Sequence, residues 1–249
     1  LLTSFGFNLA VGWMAAGLAF AFLPTLVLPA DFGKMKDKPS ISSLFSKSEG
    51  INVLSLARFF LFGARDVWFV VALPVFLEAS LGWSFWEIGG FLGLWVIGYG
   101  LVQGAAPALR RLWGKTTPPG VSSLQFWSAL LTAVPALIAV SLWRDVDVSI
   151  AITAGLAVFG VVFAMNSSIH SYMVLSYTDS ENVSLNVGFY YMANAAGRLT
   201  GTLLSGAIFF VGGMEACLWM SSVLVGLAFL SSCKLPPPPR HCVNTIQSV

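Results

Sequence analysis

Seven long apolar runs constrain this chain more than any other feature. They fall near residues 9–29, 53–77, 86–108, 122–143, 149–173, 186–210 and 215–233. Each is close to the length, about 20 residues, that a helix needs to cross a hydrocarbon core of about 30 Å. Residues 1–5 read as the end of a preceding helix. Composition agrees: 57% of residues are hydrophobic and only 10% charged, whereas a soluble domain carries about 25% charged residues. The expected fold class is therefore all-α, a polytopic membrane protein. The chain starts with Leu1, and its first apolar run lacks the basic segment and A-x-A site of a signal peptide. It reads as starting inside a larger protein.

Basic residues predict an orientation. Lys34, Lys36, Lys38 and Lys47 lie in the loop 30–52, Arg110, Arg111 and Lys115 in the next alternate loop, and Lys234 and Arg240 in the tail. With alternating helices all of these share one side, and only Arg144 lies on the other. The Lys-rich loop and the C-terminus are therefore expected to be cytoplasmic. A net charge of +2 is too small to suggest nucleic acid as a partner. Cys217, Cys233 and Cys242 have no CxxC spacing and no histidine pair nearby, so neither zinc ligation nor a disulfide framework is expected, and no cofactor is implied.

Small residues recur at helix-packing intervals, Gly89/Gly93 and Gly100/Gly104 in one run and Gly197/Gly201/Ser205 in another. Such spacing lets helix backbones approach closely where lipid supplies no hydrophobic drive. Kinks are expected at Pro74, Pro107 and Pro135. The end, PPPPRHCVNTIQSV, reads as a disordered Pro-rich tail.

Against this background, charge inside the runs stands out. RFFLFGARDVWFVVALPVFL, residues 58–77, holds Arg58, Arg65 and Asp66. An arginine at mid-bilayer costs roughly 2.5–3.5 kcal/mol on insertion scales and should face protein or water. Arg65 lies about 21 Å along the helix from Ile51. Arg58 is shallower and could snorkel to the cytoplasmic surface, yet seven residues place it on the face of Arg65, so both could grip one ligand. Asp66 is rotated by about 100° from Arg65 and is not expected to neutralise it within the helix.

Two further polar faces follow. In NVGFYYMANAAGRLTG, Tyr190, Asn194 and Arg198 recur every four residues, with Tyr191 beside them. In MNSSIHSYMVLSY, Asn166 and His170 share a face, with Met173 one turn on. Gln103 is a lone polar residue in its own run. One reading is structural: Asp66 locks the bundle by pairing with Arg198, and His170 is a satisfied interhelical donor. The other weighs the whole set. Three membrane-level arginines meet one acid at comparable depth, since Glu78, Glu87, Asp179 and Glu181 fall in loops or at helix ends, and surplus buried positive charge wants an anion.

At these residues the chain resembles the second half of a major facilitator superfamily transporter: one helix, a basic loop, then a six-helix bundle. More specifically, SLARFFLFGARDVWFVVALPVFL, GWSFWEIGGFLGLWVIGYGLVQ, FGVVFAMNSSIHSY and VSLNVGFYYMANAAGRLTGTLLSG resemble the organoarsenical efflux permeases of bacterial arsenic-resistance clusters, the ArsJ type. The likeness runs from about Asp31 to Leu230; most of the N-terminal bundle and the tail lie outside it. It implies four parts: residues 1–29 ending the N-terminal bundle, a cytoplasmic loop 30–52, a six-helix bundle 53–233 built of two inverted three-helix repeats, and the tail 234–249.

The resemblance also implies a function, efflux of 1-arseno-3-phosphoglycerate across the plasma membrane, with a functional link to the glyceraldehyde-3-phosphate dehydrogenase that makes it. Arginine forks suit its phosphate and arsenate groups, and pentavalent arsenic does not seek thiols. On this reading Arg65, Arg198, Asn194, Tyr190, Tyr191, Arg58, Asn166 and His170 bind the small anionic substrate, and Asp66 serves energy coupling. The alternative is a transporter of the same fold for another small organic anion or drug. An enzyme is not expected: His170 has no second membrane histidine to work with.

Overall fold

A computed structural model of the chain describes residues 2–27, 48–114, 117–144, 146–178 and 183–237. Most of the loop 30–52 and of the tail therefore lies outside the described residues, with Lys34, Lys36, Lys38, Lys47, Lys115, Asp179, Glu181, Arg240 and Cys242. The chain divides into two units, Leu1–Pro39 and Ser40–Val249.

The described residues of the first unit form one helix, α1 (Leu2–Phe22), continued by a 3-10 turn, Leu23–Val27. Residues 1–5 were expected to end a separate helix, but nothing in LTSFGFNLAVGW breaks the helical backbone, and α1 runs straight through. It stops where Pro24, which has no N–H and crowds the residue before it, forces the tighter turn.

The second unit contains α2 (Glu49–Phe69), α3 (Ala72–Leu81), α4 (Phe85–Leu112), α5 (Val121–Trp143), α6 (Val148–Ser176) and α7 (Val183–Ser232). Among the described residues there is no strand, and five helical stretches are long and apolar enough to cross a membrane, α2 and α3 counting together as one. The chain is an all-α polytopic membrane protein.

Pro74 breaks the first crossing, and the position of the break is explicable. A proline ring clashes with the carbonyl four residues earlier, which here belongs to Val70, and α2 ends at Phe69. The N–H of Ala72 at the break is taken up by Ser205 Oγ at 3.1 Å, as buried backbone donors require. Pro107 and Pro135 leave α4 and α5 each as one helix.

A straight helix as long as α7 would extend about 75 Å, more than twice the hydrocarbon thickness. It does not run straight. Gly213 has φ 64° and ψ −161°, a conformation open in practice to glycine alone. The arms before and after it fold back to back. Gly201 in the first arm packs on the Gly63 backbone, while Ser221 in the second donates its hydroxyl to the neighbouring Ala64 carbonyl at 2.6 Å. The Cys217 thiol reaches the Ser205 carbonyl between the arms, at 3.7 Å. With the two arms counted separately, and α2 and α3 together, the described residues of the second unit form six helical stretches.

Aromatic and serine contacts hold the segments together. Trp68 meets Phe159 edge-on at 5.1 Å between centroids, and Phe62 meets Phe163 at 5.3 Å, joining α2 to α6. Trp95 of α4 donates to the Leu156 carbonyl at 2.8 Å and fills the notch left by Gly160. Gly197 and Gly201 make the close helix approach that their spacing predicts, against the backbone of Phe59 and Gly63. The α4 glycines do not: Gly89, Gly93, Gly100 and Gly104 have open space where a Cβ would stand.

Candidate functional site

Asp66 is the hinge of the charged cluster. Only 1% of its side chain is exposed, and each of its oxygens takes a different arginine: Oδ1 accepts from Arg65 Nε at 2.6 Å, and Oδ2 from Arg198 Nε at 3.0 Å. The Asp66–Arg65 pair corrects the expectation that neighbours in one helix cannot neutralise each other. The 100° rotation applies to the Cβ atoms, but an arginine stem of three methylenes swings across that angle and meets the short aspartate. The Asp66–Arg198 pair joins α2 to the first arm of α7. Both arginines spend Nε on Asp66, so the Nη ends of both forks lie outside the pair. One carboxylate for two guanidinium groups leaves one positive charge.

The two arginines differ in surroundings. Arg65 is 12% exposed, with its guanidinium carbon 4.9 Å from the Phe62 ring centre and 5.6 Å from that of Phe163. Arg198 is 54% exposed. The stripe Tyr190, Asn194, Arg198 thus turns from inside to outside along the arm. Four residues overshoot a helical turn of 3.6 by about 40°, so two steps carry the side chain well round the helix. Tyr190 is fully buried, Asn194 partly buried and Arg198 largely open. Tyr191 is exposed and meets Tyr190 edge-on at 5.5 Å.

Arg58 does not snorkel. It is 4% exposed, and its side chain turns into the bundle, where Nη1 donates to Ser167 Oγ of α6 at 3.1 Å. Its guanidinium carbon lies 4.1 Å from the Phe62 ring centre and 5.1 Å from that of Tyr190. Depth along a helix says how far a side chain must reach for water, whereas packing against α6 and α7 decides its direction. Arg58 and Arg65 share the Phe62 ring, so they are close neighbours on the one face that their seven-residue spacing predicts.

His170 is fully buried, and neither ring nitrogen has a partner. It is therefore not the satisfied interhelical donor of the structural reading, and it stands one turn past Ser167, which accepts from Arg58. The Tyr190 hydroxyl, Arg58 Nε and Asn194 Oδ1 are likewise unpartnered. Asn166 is buried and satisfied by Ser128 across from α5, its Nδ2 donating to Ser128 Oγ at 3.2 Å. It belongs to helix packing in this arrangement. Gln103 is only partly buried on α4.

Ser167 and Phe62 were not singled out from sequence. Phe62 had a signal, since it stands four residues after Arg58 and three before Arg65, on their shared face. Ser167 had a weaker one, three residues before His170.

Comparison with protein-family models and with curated proteins finds no match for this chain.

Proposed function

We propose that this chain is part of a membrane transporter for a small organic anion, and that the exposed face of α7 bearing Tyr191 and Arg198, with Arg65 behind it, lines the solute pathway. The observation that carries the proposal is the charge balance. Arg58, Arg65 and Arg198 stand within membrane segments, and Asp66 is the one buried carboxylate among the described residues. Glu215, just past the Gly213 bend, is exposed. Charge placed within membrane-spanning segments marks a solute or ion pathway by default, and a guanidinium fork matches phosphate-type oxyanions with two parallel hydrogen bonds.

The resemblance of the motifs narrows the solute to 1-arseno-3-phosphoglycerate, exported across the plasma membrane by a permease of the major facilitator fold whose Lys-rich loop and C-terminus face the cytoplasm. A functional link to glyceraldehyde-3-phosphate dehydrogenase follows from that substrate. Transport by alternating access requires two bundles flanking the pathway, and residues 53–233 supply one.

The test is arsenate resistance in cells lacking their own export system. Co-expression of the transporter with the dehydrogenase should confer resistance to arsenate but not arsenite, and everted vesicles should accumulate the arseno-ester. Accumulation of other phosphorylated anions with no arsenate resistance would favour a general organic-anion transporter instead. Accumulation of neither would sink the proposal.

A further inference from the structure

The three arginines are not equivalent, and the difference locates a ligand. Asp66 neutralises one charge of the Arg65–Arg198 pair, whereas among the described residues no carboxylate is paired with Arg58, the most deeply buried of the three. Around it stand groups from two other helices with hydrogen-bonding capacity unspent. The Tyr190 ring lies 5.1 Å from the guanidinium carbon, and its hydroxyl has no partner. His170 stands one turn past Ser167 on α6, with both nitrogens unpartnered. Arg58 Nε is also unpartnered, and Ser167 accepts from Nη1. Buried polar atoms are almost always satisfied in folded proteins, so orphans from three helices around one charge indicate an occupant.

We propose that Arg58, Ser167, His170 and Tyr190 form an interior binding site for a tetrahedral oxyanion, a phosphate-type group, across the Phe62 ring from the Asp66 ion pair. Water would satisfy the dipoles but not the charge. A carboxylate offers two oxygens in one plane, whereas guanidinium, imidazole and two hydroxyls arriving from α2, α6 and α7 suit an acceptor with oxygens in several directions. The occupant is either a free inorganic ion or the phosphoryl end of the transported solute; in the second case the inference rests on the transporter reading and assigns its anion subsite.

The test uses the protein purified in detergent, with inorganic phosphate as the probe and chloride as the control. Phosphate should raise the unfolding temperature and chloride should not. Arg58→Gln relieves an uncompensated buried charge, so it should raise the unfolding temperature of the empty protein while abolishing the phosphate effect. Tyr190→Phe removes only the orphan hydroxyl; it should leave the empty protein as stable or slightly more stable and weaken phosphate at least threefold. Competition by glycerol 3-phosphate at similar concentration would show that the site takes an ester, and binding of phosphate alone that it takes the free ion; both support the site. A phosphate effect that persists in Arg58→Gln and Tyr190→Phe, or equals that of chloride, overturns it. These readouts need no transport, so a site that binds phosphate in a protein that moves no organic anion would defeat the transporter reading and leave this one standing.

Discussion

Arg198 Nε lies 3.0 Å from Asp66 Oδ2, an ion pair between α2 and the first arm of α7 that fixes two membrane helices at one height. Its partners are unequal, Asp66 being buried and Arg198 half open. That inequality sets what each substitution does. Removing the buried partner leaves Arg65 without a counter-charge in the protein interior, and removing the open one leaves Asp66 still held by Arg65.

Asp66→Asn should therefore destabilise the protein by about 3 kcal/mol, the range for breaking a buried pair from one side, measurable as a drop in unfolding temperature. Transport separates its roles. If Asp66 carries a proton during the cycle, the variant binds the anion but loses proton-driven accumulation; if it only orients the arginines, binding and accumulation fall together.

Arg198→Lys should cost under about 1 kcal/mol of stability, because an exposed pair contributes little. It keeps the charge but loses the fork, so export of a phosphorylated anion into everted vesicles should fall several-fold with insertion unchanged. Arg65→Lys should act in the same direction on export and cost more stability, since Arg65 is nearly buried and lies over two aromatic rings. Wild-type export by both variants would make these arginines structural partners of Asp66 and move the solute pathway elsewhere.

Much of the fold was legible because membrane segments are written in length and apolarity, which need no knowledge of neighbours. The bend at Gly213 fell in the interval between the runs 186–210 and 215–233, and the break before Pro74 follows from the proline ring. Of the polar residues read from the sequence, the structure gathers Arg58, Arg65, Asp66, Arg198 and Tyr190, but it turns Asn166 to Ser128 and adds Phe62 and Ser167, and their arrangement was not legible. Whether Arg58 points to water or inward depends on Ser167 and Tyr190, from helices more than a hundred residues away in sequence. The α4 glycines show the converse error: spacing suited to helix packing says nothing about whether a partner helix is there.

The break before α3 makes a prediction of its own. Ser205 Oγ is the acceptor of the Ala72 N–H, and both residues are buried. Ser205→Ala leaves that donor orphaned at a cost of about 1–3 kcal/mol, read as a lower unfolding temperature. Pro74→Ala removes the clash at Val70 and lets the helix close over the break, giving the Ala72 N–H an intrahelical acceptor. In the double variant the penalty of Ser205→Ala should shrink. A full additive loss would mean that the break is held by packing and not by Pro74.

The close approach of α2 and α7 is the most exacting feature of the fold, and Gly201 tests it. A Cβ there would stand 2.5 Å from the Gly63 carbonyl oxygen, and a backbone atom cannot turn aside as a flexible side chain does. Gly201→Ala should force the α7 arm away from α2, costing about 1–3 kcal/mol in overpacking and lengthening the Asp66–Arg198 ion pair one turn below. Anion export should fall with it although no charged group has changed. Gly206 is the internal control: it lies in the same arm with open space around its missing Cβ, and Gly206→Ala should be neutral or stabilising by up to about 1 kcal/mol through helix propensity. Comparing the unfolding temperatures and export rates of the two variants separates a packing effect from a general intolerance of alanine in this arm. Equal behaviour of the two would mean that the helices have room to part, and that the ion pair, not the glycine contact, sets their separation.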